Sequence, residues 1–101
     1  MDAEFNLSTR LGTDLSSCRL GAELRDEARR AIAAGGTVVF DFDGVRTVSD
    51  GFADELLAIL VEEYGHDWFR QHVRLRNLSV GVRSSILEAV SKRLADAAAT
   101  H

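Results

Sequence analysis

The side chains best suited to chemistry fall within residues 41–54. Asp41 and Asp43 stand two apart at the end of the run Val38-Val39-Phe40-Asp41-Phe42-Asp43-Gly44-Val45. On a buried strand that spacing delivers both carboxylates to the C-terminal end, where open α/β sheets place their ligands. Such a pair could hold Mg²⁺, one carboxylate attacking a phosphoryl group while the other protonates the leaving oxygen. A few residues on, Ser49, Asp50, Gly51 and Asp54 span the entry to a second apolar run. A serine or aspartate there accepts hydrogen bonds from the first free N–H groups of a helix, and an acid favours its positive end. Each residue also has a quieter role: Asp41 and Asp43 as turn residues, Gly44 in a tight turn, Ser49 and Asp50 as caps, and Gly51 where another group approaches closely.

The elements that must position these residues are legible from periodicity. Glu4-Phe5-Asn6-Leu7-Ser8-Thr9-Arg10-Leu11 alternates and predicts a short strand with Phe5 and Leu7 on one face. Over 17–34, Leu20, Leu24, Ala28, Ala31 and Ile32 recur at helical spacing, and Gly35-Gly36 ends that helix. Thr37-Val38-Val39-Phe40-Asp41-Phe42 lacks clean alternation and reads as a central strand covered on both faces. A second helix is expected over 52–64, with Asp54, Glu55, Glu62 and Glu63 on its wet face and Gly65 at its end. Trp68 and Phe69 are expected in a short connection, lidding the core. Val73-Arg74-Leu75-Arg76-Asn77-Leu78 alternates as a third strand, and a last helix over 82–97 turns Val82, Ile86, Val90, Leu94 and Ala97 inward. The expected fold is a small α/β domain of order β-α-β-α-β-α, its helices packed on a mixed sheet.

Residues 1–101 read as one unit, with no proline, no linker and no repeat. Apolar residues make up 46% and charged ones 28%, which fits a chain that buries a core and not a disordered tail. The net charge of −4 argues against a nucleic-acid or anionic-membrane partner. No apolar run approaches the roughly 20 residues that span a bilayer, and the first ten residues do not read as a secretory signal. A lone cysteine, Cys18, and three scattered histidines give no four-ligand zinc pattern, so a reducing cytoplasm is the expected compartment. Over 41–67 the acids face only Arg46, whereas over 70–93 Arg70, Arg74, Arg76, Arg83, Lys92 and Arg93 face only Glu88. That asymmetry predicts a dipolar domain unless neighbouring elements neutralise it. The basic stretch lacks the stacking aromatics and glycine clamp of RNA modules.

Two resemblances bear on function. Val38 to Val45 resembles the first motif of haloacid-dehalogenase-like phosphatases, which implies a Mg²⁺-dependent phosphotransfer enzyme using Asp41 and Asp43. The family's later parts, a catalytic lysine and a distal acidic pair, find no counterpart: the sole lysine, Lys92, lies within the last helix, and beyond Asp67 the acids are Glu88 and Asp96. A longer stretch, Ser17-Cys18-Arg19-Leu20-Gly21, then Val38 to Val45, then Val48-Ser49-Asp50-Gly51-Phe52-Ala53-Asp54-Glu55-Leu56, and later Val73 to Ser79, resembles the STAS-like domain family of unknown function. It covers roughly residues 7–94 and is related to the STAS domains of anti-sigma-factor antagonists.

That second resemblance implies a non-enzymatic interaction domain of bacterial signalling, needing no cofactor. Its partner would be a histidine-kinase-like ATPase or an anti-sigma factor, with a homo-oligomer as a further option. The implied contact residues are Asp43, Arg46, Ser49, Asp50, Gly51 and Asp54. In the antagonists the partner phosphorylates a serine at the start of this helix and the added charge breaks the complex. Here Gly51 stands at about that position. Ser49 is the remaining candidate acceptor, and Asp50, Asp54 and Glu55 beside it would repel a phosphate, so the contact surface is expected not to depend on a phosphorylation cycle.

Overall fold

The computed structural model describes residues 2–99. Strand β1 (Asp2–Asn6) leads into a short helix α1 (Leu7–Leu11), a two-residue strand β2 (Asp14–Leu15) and the long helix α2 (Cys18–Ala33). Strand β3 (Thr37–Asp41) and the short β4 (Thr47–Val48) follow. Helix α3 then runs continuously as an α-helical turn Asp50–Ala53, a π-helical segment Asp54–Ala58 and a further α stretch Ile59–Tyr64. Helix α4 (His66–His72), strand β5 (Val73–Arg76) and helix α5 (Val80–Ala99) complete the fold.

The α/β class holds, but the sheet is parallel rather than mixed. The three-stranded sheet has the order β1-β3-β5, with Phe5 opposite Phe40 and Phe40 opposite Leu75, and β2 pairs with β4 in a second parallel ladder. Each connection within the larger sheet carries a helix, which is what parallel pairing requires. As the central strand, β3 buries Val38, Val39 and Phe40 in succession, matching its unbroken apolar run.

Besides the short strands β2 and β4, the segments 7–11 and 66–72 and the start of α5 differ from the sequence expectation, for local reasons. Asn6 ends β1: its Oδ1 accepts from Thr9 N at 3.0 Å and from Ser8 Oγ at 3.2 Å, which caps α1 and turns 7–11 into a helix. Leu7 is fully buried as expected, but from the helix and not from a strand face. The connection holding Trp68 and Phe69 is the helix α4, set off from α3 by Gly65 at φ 91°. Both rings are half-buried against the core, and Trp68 stacks between Tyr64 at 4.2 Å and His72 at 4.7 Å. Ser79 starts α5 two residues early, its Oγ accepting from Val82 N. Val82, Ile86 and Ala89 are the buried residues of α5, while Val90, Leu94 and Ala97 are half-buried.

At the centre lies α3, packed between α2 and α5. Phe52, Ala53, Leu56, Leu57, Ala58, Leu60 and Val61 are all buried, so apolar groups point in nearly every direction from its axis. Burying each large side chain contributes about 1.5–3 kcal/mol. Of the four acids expected on a wet face, Glu62 and Glu63 are exposed and Asp54 and Glu55 half-buried, and all four are also tied to the flanking helices. From α2, Arg25 bonds Glu55 and Arg29 bonds Glu63; from α5, Arg93 bonds both Asp54 and Glu62. Arg25 also donates to the backbone carbonyl of Glu55, inside the π-helical segment.

Close approach of α2 to α3 depends on Gly21, where an added Cβ would lie 3.0 Å from the Phe52 carbonyl oxygen and 3.2 Å from Glu55 Cβ. Gly21→Val should therefore force the helices apart and cost about 1–3 kcal/mol, the usual range for overpacking. Urea denaturation read by circular dichroism checks this, and an unchanged midpoint would contradict the packing.

Candidate functional site

The loop from the end of β3 to the start of α3 is built from short-range bonds. Phe42 N donates to Arg76 O at 2.8 Å, extending the β3–β5 ladder. Val45 N then donates to Phe42 O at 3.0 Å, closing a turn in which Gly44 sits at φ 84°. A side chain there would be strained by the backbone and crowded by Ser8, so the glycine expected for a tight turn does that work. Asp41 Oδ1 accepts from Asp43 N and from Asn77 Nδ2, both at 2.9 Å. Asn77 itself takes a left-handed conformation, φ 60°. The Asp41 carboxyl therefore ties the ends of β3 and β5 together, and Asp43 is exposed beyond it. Among the described residues no group of three or more His, Cys, Asp or Glu side chains is arranged to hold a metal ion.

Farther along, Arg46 bonds Asp14 at 2.8 Å and Thr47 Oγ1 donates to the other oxygen of Asp14 at 2.7 Å. Those contacts hold the Asp14 carboxyl below its usual range, Arg46 first and Thr47 second, and join β4 to β2. Ser49 caps α3: its Oγ accepts from Phe52 N at 3.1 Å, and its own N–H donates to Leu15 O at 2.8 Å. Gly51 marks a second close approach, because a Cβ there would stand 2.4 Å from the Cys18 sulfur. The space a side chain at 51 would need holds the Cys18 thiol.

The six expected contact residues thus separate into two places. Asp50, Gly51 and Asp54 line a groove of about 500 Å³ between the start of α3 and the later turns of α5. Asp43 and Arg46 lie outside its lining, on the loop beside α1 and β2, with Ser49 capping the helix between the two groups. Lys92, Arg93 and Asp96 of α5 form the opposite wall, flanked along the helix by Ala89 and Ala97. Sequence reasoning did not connect α5 to this site. The available signal was the spacing 89, 92/93, 96/97, which places these residues on one helix face.

Arg93 is the groove's fixed point. Its Nε and Nη2 meet the two oxygens of Asp54 at 2.6 and 2.7 Å, and its Nη1 meets Glu62 at 3.0 Å. This fork geometry suits guanidinium and carboxylate, and Asp54 first, then Glu62, raises the arginine's pKa against the opposing effect of desolvation. Asp54 is consequently a structural partner of Arg93 as well as a groove residue. The expected dipole is also reduced: Arg70 pairs with Asp67, Arg76 with Glu4, and Arg93 with Asp54 and Glu62.

Hydrogen bonds from Asn77 and then from Asp43 N hold the Asp41 carboxyl below its ordinary value of 3.8. A depressed folded-state pKa stabilises the fold above the unfolded value, and that contribution is lost as pH falls through the folded one. Asp41→Asn keeps an oxygen acceptor and removes the charge. Wild type should exceed this variant in urea midpoint at pH 6 and lose part of that margin at pH 3, both measured in the same buffer series. An equal margin at both values would contradict the role given to Asp41.

Among known families, a model described as the STAS-like domain of unknown function (DUF4325) matches residues 21–83, from the glycine of the α2–α3 contact into the first turn of α5. Neither a curated protein nor a solved structure matches the chain. The match takes in all of β3, the Asp41 turn, the cap at Ser49 and the whole of α3. The chain belongs to the STAS-like domain family of unknown function.

Proposed function

We propose that this domain is a non-enzymatic interaction module, and that it binds a regulatory protein through the groove between α3 and α5. The observation that carries the reading is the groove itself, where Asp50, Gly51 and Asp54, singled out from sequence, lie together opposite Lys92, Arg93 and Asp96. By the family's relation to anti-sigma-factor antagonists, the partner is a kinase-like ATPase or an anti-sigma-type regulator in a bacterial cytoplasm. No helix among the described residues is long and apolar enough to cross a membrane, which is compatible with that setting.

Contact through this surface does not require phosphorylation. Ser49 Oγ already serves the α3 cap, Asp50 supplies a permanent charge one residue on, and Gly51 offers no hydroxyl. The engagement of Asp41 with Asn77 and Asp43 N favours a structural role for that carboxylate over a nucleophilic one.

The test is affinity capture from a lysate of the native host, with nucleotide and Mg²⁺ present, comparing wild type with Asp50→Arg. An ATPase or sigma-regulatory protein should be recovered by wild type and lost or strongly reduced with the variant, whose circular dichroism spectrum stays native. Equal recovery by both would count against this surface. Phosphate release from a generic phosphomonoester with Mg²⁺ should stay at the blank; turnover abolished by Asp41→Asn would overturn the non-enzymatic reading.

A further inference from the structure

Four carboxylates and two cations line the groove: Asp50, Asp54, Glu62 and Asp96 against Lys92 and Arg93, a net charge of −2. They are not equivalent. Arg93 is already held by Asp54 and Glu62, so its charge is answered within the fold. Asp50 and Asp96 have no ion-pair partner among the described residues, and Lys92 is the other cation in the lining. Asp50 also stands at the start of α3, where Ser49 has taken up a free N–H, so an incoming anion would meet a carboxylate at that helix end.

Shape adds to charge. Gly51, Ala89 and Ala97 contribute little side-chain bulk, which leaves the floor open. Positions 89 to 97 of α5 rise about 12 Å along the helix axis, so an occupant lying beside them is elongated, with roughly two helical turns or four extended residues in contact.

We propose that the groove receives an arginine- or lysine-bearing segment of a protein partner, its cations meeting Asp50 and Asp96 and its aliphatic stems lying on Gly51 and Ala97. Long basic side chains suit such a surface because they cover apolar area while keeping the charged end near water. Charge complementarity of this kind sets partner choice and speeds encounter more than it adds affinity. The inference rests on the groove being the contact surface and adds the chemistry of what enters it.

A fluorescein-labelled peptide of arginine and alanine, about twelve residues long to cover that rise, tests the idea by anisotropy, with a glutamate–alanine peptide as comparison. Asp50→Asn/Asp96→Asn should weaken the arginine peptide about fivefold, as expected for two exposed charge contacts. Asp26→Asn/Glu88→Gln, which removes the same charge from exposed positions outside the groove lining, should change affinity less than about twofold. Equal weakening by both pairs, equal binding of the glutamate peptide, or no binding of the arginine peptide to wild type would overturn the proposal. Those failures are separable from failure of the surface itself. If Asp50→Arg abolishes partner capture while the peptide does not discriminate, the contact surface stands and its basic occupant falls; if capture is untouched, the surface falls.

Discussion

Burying a helix that is apolar almost all round is the constraint on which the rest of this fold depends. Helix α3 cannot present Phe52, Leu56, Leu57, Leu60 and Val61 to water, so α2 and α5 must enclose it, and Phe52, Leu56 and Leu57 join the core cluster that holds Val38 and Phe40 of β3. Its carboxylates then lie at the seams between helices. Arg25 and Arg29 on one side and Arg93 on the other answer them, and the pairs fix how α2 and α5 lie along α3. The pairs are half-exposed to partly buried, so their weight is in register more than in raw stability, which comes chiefly from the apolar contacts.

That arrangement decides which charged side chains are left without a partner in the fold. Asp54, Glu55, Glu62 and Glu63 serve the α3 seams, Asp41 serves the junction of β3 with β5, and Arg46 joins β4 to β2. Asp50 has no such duty, and neither does Asp96 across the groove. The surface singled out from sequence therefore contracts to the first turn of α3 and gains a second wall from α5. Gly51 belongs to the same economy of space: the Cys18 sulfur fills the volume beside it, so position 51 is set by packing between the starts of α2 and α3.

Much of this was legible because its signals are local. Gly35 and Gly65 end their helices with positive φ, Ser49 caps α3, and Val38-Val39-Phe40 reads as a two-sided strand, each decided within a few residues. Family resemblance rested on the same local runs, and the match over 21–83 confirms it across a narrower span than residues 7–94. Asn6 misled because alternation and a helix cap compete in so short a segment, and the side-chain bond to Thr9 N decided between them. The ion pairs of the α3 carboxylates were not legible for another reason: their partners lie some thirty or more residues away, and helical periodicity alone does not show whether a solvated acid is also paired. The groove was invisible for the same reason, since one of its walls is built from α5.

The proposed contact surface is the groove between α3 and α5 and not an edge of the sheet, and photo-crosslinking in the native host distinguishes the two, with benzoylphenylalanine placed at Lys92 and separately at Arg74 on the edge strand β5. A discrete protein adduct is expected from position 92 and none from position 74. An adduct from 74 alone, or none from 92, would place the contact elsewhere.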